Sequence, residues 1–229
     1  MRIIRNERRI RVFSSIGQYA TLAGLAALLA SLILSFVKPE WFTLMLASVT
    51  LGLVLSIVGG FFADRYTGPL AQHEALVKAL KGLGNNYALL QYRLPAAHVL
   101  VEPGGCTVFV VKAQGGQVTY EGGKWKHKQR GKFFRQFAGQ EAVGAPDFEA
   151  ERQVRKMEQW LSKQLPEVEI PVRPVILFIN PDLALEADNP PVPVFYGKKV
   201  KAWLRGPGKL KPLPPAEQQQ LAAALGVLE

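Results

Sequence analysis

Lys112 closes the apolar run Val108–Val111 in the stretch VFVVKAQGGQV. A lysine at a strand end does hydrolytic chemistry when two carboxylates beside it hold a divalent cation and the amine orients or activates the attacking water. The acids that the chain offers for such work are Glu74, Glu102, Glu121, Asp147 and Glu149. Two places before Lys112, on the same face of a strand, stands Val110, which has no ligand atom. Without a metal, an exposed lysine, protonated at neutral pH, is a poor general base.

A second set of residues suits binding. In GKWKHKQRGKFFRQF, the cations Lys124, Lys126, Lys128, Arg130, Lys132 and Arg135 are interleaved with Trp125, Phe133 and Phe134. Cations among aromatics fit a nucleic-acid backbone. They equally fit an anionic lipid leaflet, where each contributes about 1 kcal/mol near the surface. Alternation in KWKHK also suits a plain strand, lysines in water and the aromatic in the core. The formal charge of +10 agrees with polyanionic partners. The single cysteine, Cys106, excludes an intramolecular disulfide, and His73, His98 and His127 are too scattered for a zinc site.

The charge is unevenly spread. No residue from Val12 to Val37 is charged, and none from Trp41 to Ala63. Each run exceeds the ~20 helical residues that cross a ~30 Å hydrocarbon core. Lys38, Pro39 and Glu40 separate them, and Pro39 breaks any continuous helix. Tyr19 and Trp41 are placed as interfacial anchors. Arg2, Arg5, Arg8, Arg9 and Arg11 precede the first run, and Arg65, Lys78 and Lys81 follow the second, against Lys38 alone at the tip. The positive-inside rule then predicts a multi-pass inner-membrane protein with both termini cytoplasmic. The boundaries expected are a basic tail over 1–18, a transmembrane hairpin over 19–63, an α/β domain over 64–212 and a terminal helix over 213–229. The bilayer is thus a partner through residues 19–63.

Beyond Asp64 the pattern predicts a helix in PLAQHEALVKALKGLG, then strands in YALLQYRL, HVLVEP, CTVFVVKA and QVTYEG, with KWKHK as a further one. PGG, QGG and EGG read as tight antiparallel turns. A helix follows from near Pro146, then a buried strand in PVRPVILFIN, a short strand in PVPVFYG, a short helix in KKVKAWLR and a terminal helix from PPAEQQQLAAALG. Helix, strand meander, helix and buried strand make an α/β sandwich.

That order, with its local words, resembles the NERD (nuclease-related) domain, a branch of the PD-(D/E)XK nuclease superfamily. HEALVKAL is similar to the opening helix with its glutamate, here Glu74. AHVLV resembles the strand that begins with Asp-His. VFVVKAQGGQV resembles the strand carrying Glu-x-Lys and its glycine turn, and GGKWK the next strand. GAPDFEAERQVRKMEQWL resembles the helix opened by Asn-Pro-x-x-Gln. The resemblance spans roughly residues 72–205. It implies a restriction-endonuclease-like αβββαβ core with a mixed sheet, preceded by two transmembrane helices.

The departures from the family decide the expected function. The family aspartate falls on Ala97, its glutamate on Val110 and its helix glutamine on Glu149, leaving Lys112. The expectation is a catalytically degenerate domain that works by binding or scaffolding, without cofactor, with nucleic acid or anionic head groups as partner; a membrane-tethered module for another protein is a further alternative. Glu74 and Glu102 are the carboxylates left as remnants. The alternative is an active nuclease whose ligands have moved to Glu74, Glu102, Glu121, Asp147 and Glu149, and only that reading calls for Mg²⁺. An exposed Lys112 would tolerate replacement within ~0.5 kcal/mol.

Overall fold

A computed structural model describes residues 1–68, 70–131 and 141–227. Two compact units emerge, one of residues 7–71 with 129–142, the other of residues 1–6, 72–128 and 143 onward.

The first unit is a helical hairpin, α1 (Glu7–Val37) and α2 (Phe42–Tyr66), both long and apolar enough to cross a membrane. At 1.5 Å per residue they measure about 46 and 37 Å. Small residues make the seam: Gly17, Gly24 and Ser31 of α1 and Gly52 and Gly59 of α2 are buried. Seven-residue spacing keeps them on one face, and their size lets the backbones approach. Ser31 Oγ donates to the Met45 carbonyl at 3.1 Å, and Ser48 Oγ to that of Ala27 at 2.8 Å. Leu22, Leu25, Leu29, Leu32, Leu46 and Val54 project outward, exposed. At the end carrying the chain's charges, Phe13 stacks on Phe62 and Tyr66 with centroids 5.1 and 5.2 Å apart. Arg9 lies over Phe13 at 5.7 Å and Arg65 over Phe61 at 4.8 Å. Aromatic rings, Tyr66 with its hydroxyl among them, backed by guanidinium groups suit a membrane–water interface.

The second unit is mixed α/β. Its larger sheet has the order β1-β2-β3-β4-β7-β9, from β1 (Arg2–Arg5), β2 (Ala88–Gln91), β3 (His98–Glu102), β4 (Gly105–Lys112), β7 (Val172–Phe178) and β9 (Val194–Tyr196). β2, β3 and β4 form an antiparallel meander, and β7 runs parallel to β4. Every residue of β4 is buried, as expected of a central strand covered on both faces. One face packs on α3 (Gln72–Leu80) and α5 (Lys199–Arg205), joining Phe109 and Val111 to Leu76, Leu80 and Leu204. The other carries Val108 and Val110 against Met157 and Ala150 of α4 (Pro146–Gln164).

Local chemistry explains two details. Gly105 has φ +137°, and a Cβ there would overlap the Pro171 carbonyl oxygen, so the PGG turn needs glycine. Pro174 sits inside β7, yet Ile176 N–H donates toward β9 at Pro193 O, and by alternation the missing donor of Pro174 points to that same side. β9 pairs with Ile176–Phe178 only, so no ladder bond is lost.

Several expectations change. The basic tail is no tail over its first residues: Arg2–Arg5 pair in parallel with β2, and α1 starts at Glu7, well before residue 19. The QGG turn does not form a hairpin. β5 (Gly116–Glu121) leaves β4 for a three-stranded sheet, β6-β5-β8, with β6 (Lys124–Lys128) antiparallel and β8 (Leu183–Ala187) parallel to it. β8 was not expected as a strand. Helix α6 (Pro215–Ala224) packs into the α/β unit, where Leu221 and Leu225 join the core. Only the EGG and PGG turns close hairpins as expected.

Candidate functional site

Alternation along β4 sends Val108, Val110 and Lys112 to the face covered by α4. Val99 pairs with Val108 at the last rung of the β3–β4 ladder, and Ala97 lies two residues earlier, in the bend that leads into β3. Ala97 therefore lies toward the same end of the sheet as Val110 and Lys112. Val110 is packed among Val118, Ala150, Ile176 and Phe178, and neither it nor Ala97 has an oxygen for a cation.

Lys112 is buried, at 3 % exposure, which corrects the exposed strand end expected. The cause is the layer above. The first turn of α4 lies over the strand end, and Lys112 Nζ donates to Glu149 Oε2 at 2.7 Å. Glu149 Oε1 accepts from Gln153 Nε2, one helical turn on, at 3.3 Å. The corner thus contains an ammonium neutralised by the carboxylate that stands where the resemblance puts a glutamine. Held that way, the amine is bound up as an ion-pair donor.

Of the other acids only Asp147 shares the first turn of α4 with Glu149. Glu102 is buried at the far end of the β3–β4 hairpin, opposite Gly105, about 23 Å along the strand from Lys112. Arg173 Nη2 donates to both its oxygens, at 2.9 and 3.1 Å, and Thr107 Oγ1 donates to one of them. Arg173 also donates through Nε to Thr107 Oγ1 at 2.8 Å and lies over the Trp203 ring at 4.5 Å. Burial pushes the Glu102 carboxyl above the ordinary carboxylate range, against the lowering by Thr107 and Arg173. The same burial, with Glu102 nearby, pushes the Cys106 thiol up to about 12. This is a closed structural network at the turn end of the hairpin.

Glu74 meets Arg5 Nη1 at 2.7 Å and is half-exposed. Glu121 is exposed on the smaller sheet and pairs with Lys126 at 3.1 Å. Asp147, buried, accepts the Phe148 N–H at 3.0 Å at the start of α4. Among the described residues no group of three or more His, Cys, Asp or Glu is placed to hold a metal ion. The residues at the Lys112 corner do not fit Mg²⁺, because two of the four relevant side chains are hydrocarbon and the other two neutralise each other.

The basic run divides. Lys124, Lys126 and Lys128 lie on the exposed face of β6, while Trp125 and His127 point inward. Trp125 packs against Tyr120 and Phe178, with centroids 4.9 and 6.2 Å away. Arg130 is exposed beyond the strand, and Lys132 and Arg135 lie outside the described residues. On the same outer face, Glu121 ends β5, Glu186 projects from β8, and Asp188 continues its ladder by donating N–H to Tyr120 O at 3.1 Å. Three cations are thus balanced by three carboxylates. Sequence reading missed this because Glu186 and Asp188 lie some sixty residues from the lysines and reach them only through parallel pairing.

The chain matches no protein-family model, no curated protein and no solved structure.

Proposed function

We propose that this chain is an inner-membrane protein with both termini cytoplasmic, whose α/β unit is a NERD-like domain without nuclease activity, working as a tethered binding or scaffolding module. The order α3, β2, β3, β4, α4, β7, with β5 and β6 inserted after β4, supports the restriction-endonuclease-like reading, since without that insertion it parallels an αβββαβ core. The observation that carries the loss of activity is the Lys112–Glu149 pair, set beside Ala97 and Val110. The aromatic and arginine collar at one end of the hairpin supports the cytoplasmic placement of the termini. The balanced face of the smaller sheet favours scaffolding over phosphate recognition there, because Glu121, Glu186 and Asp188 would repel a polyanion.

The test is cleavage. The detergent-solubilised full chain, incubated with single- and double-stranded DNA and RNA in Mg²⁺ or Mn²⁺, is expected to leave all substrates intact. Metal-dependent cutting that Lys112→Ala abolishes would restore the enzyme reading. Binding to DNA and to anionic liposomes, compared across salt, separates the two polyanions, and Lys126→Gln, Lys128→Gln and Arg130→Gln together flatten the salt dependence if that run is the contact.

A further inference from the structure

The outer face of the three-stranded sheet is a built arrangement of charge. β6 presents Lys124, Lys126 and Lys128 along one side; Gln117, Thr119 and Glu121 of β5 form the middle; Glu186 and Asp188 flank the other side. In register, Thr119 pairs with Lys126 on one side and Glu186 on the other. Neighbouring strands lie about 4.8 Å apart, so the cationic and anionic rows stand roughly 10 Å from each other. Between them is a hollow of about 600 Å³ lined by Gln117, Thr119, Lys126, Lys128, Glu186 and Asp188.

We infer that this face docks on the same face of a second copy of the chain. The reason is symmetry. A two-fold axis parallel to β5, lying just above the face, exchanges left and right while turning the second face over. Each lysine row then stands over Glu186 and Asp188 of the other copy, twice over, as an isologous contact requires, while the two Glu121 side chains meet near the axis, each held by Lys126 of its own chain. A two-fold axis across the strands would instead stack lysine on lysine. A nucleic acid meets the acidic row and an acidic peptide does the same, whereas the chain itself carries both complements.

Three strands of five or six residues offer roughly 250 Å² per chain, far below the ~800 Å² per partner of a stable complex. The contact is therefore weak in free solution and forms where membrane anchoring raises the local concentration. This deepens the scaffolding reading by naming its partner, and it stands or falls separately from nuclease activity.

The experiment is energy transfer between donor- and acceptor-labelled full chains, tagged at an added C-terminal site, in zwitterionic phosphatidylcholine liposomes at fixed density. Wild-type chains are expected to transfer above the random-density baseline, and the excess to fall at least twofold between about 0.05 and 0.5 M salt. Lys126→Glu with Lys128→Glu alone abolishes the excess, and so does Glu186→Lys with Asp188→Lys alone. Mixing the two variants restores it. Baseline transfer by wild type, or a mixture that stays at baseline while both variants keep native circular dichroism, would overturn the proposal.

Discussion

The ammonium of Lys112 stands 2.7 Å from a carboxylate oxygen of Glu149, the lysine side chain 3 % exposed and the glutamate 24 %. That asymmetry of burial makes the two partners unequal. In Lys112→Met the glutamate turns to water, at a cost of about 1 kcal/mol. In Glu149→Ala the ammonium loses its carboxylate in a buried position, at a cost of about 3 kcal/mol. Thermal unfolding of the solubilised chain should fall by about 3 °C in the first and about 9 °C in the second. The opposite order would mean that the lysine is solvated.

Rebuilding the corner tests the register. Ala97→Asp with Val110→Glu adds two carboxylates at the end of the sheet where Lys112 stands. The double variant should gain a rise in melting temperature with Mn²⁺ that wild type lacks, although Val110→Glu alone is destabilising by about 2 kcal/mol or more, because it buries a charge. No Mn²⁺ response in a folded double variant would show that residues 97 and 110 do not converge.

Glu102 predicts a pH dependence with a definite sign. Its carboxyl is raised above the ordinary range by burial, so the folded protein holds this proton more tightly than the unfolded chain. Stability from this group is present below the ordinary carboxylate value and is lost as pH rises through the folded value. Against Glu102→Gln, which does not titrate, the melting temperature of wild type should gain as pH falls from about 7 to 5. A gap that narrows on acidification would mean that Arg173 and Thr107 outweigh burial.

The hairpin depends on Gly59. A Cβ there would stand 2.6 Å from the Thr21 backbone nitrogen, which cannot move aside. Gly59→Leu should lower disulfide trapping between Ala27→Cys and Ser48→Cys severalfold, while Val54→Leu, at an outward-facing, exposed position, should leave it unchanged. Equal yields would remove the close seam.

What the sequence disclosed follows from how local each signal is. The two apolar helices and the buried strands β4 and β7 were legible because continuous apolar runs report their own environment. β1 was not, since Arg2 and Arg5 flank only Ile3 and Ile4 and invite a membrane-charge explanation. β8 was not, because LALEA consists of helix-favouring residues in a run too short for a helix and becomes a strand only on meeting β5. At the candidate site, the residue types at 97, 110 and 112 could be aligned with a motif, whereas the burial of Lys112 depends on a helix that starts thirty-four residues later. Glu149 was visible as a departure from the family, but its role appears only once the first turn of α4 is laid over β4.

Among the described residues β6 hydrogen-bonds to β5 alone and is an edge strand of the smaller sheet, with lysines at alternate positions. An open edge invites strand addition, and repeated addition leads to fibres. Like charge along β6 opposes that route, and the hazard is greatest for chains crowded on one bilayer. A contact through the face closes after two copies, whereas a contact through the edge has no natural end. The lysines that carry the proposed face-to-face contact would then also keep the sheet from growing along its edge.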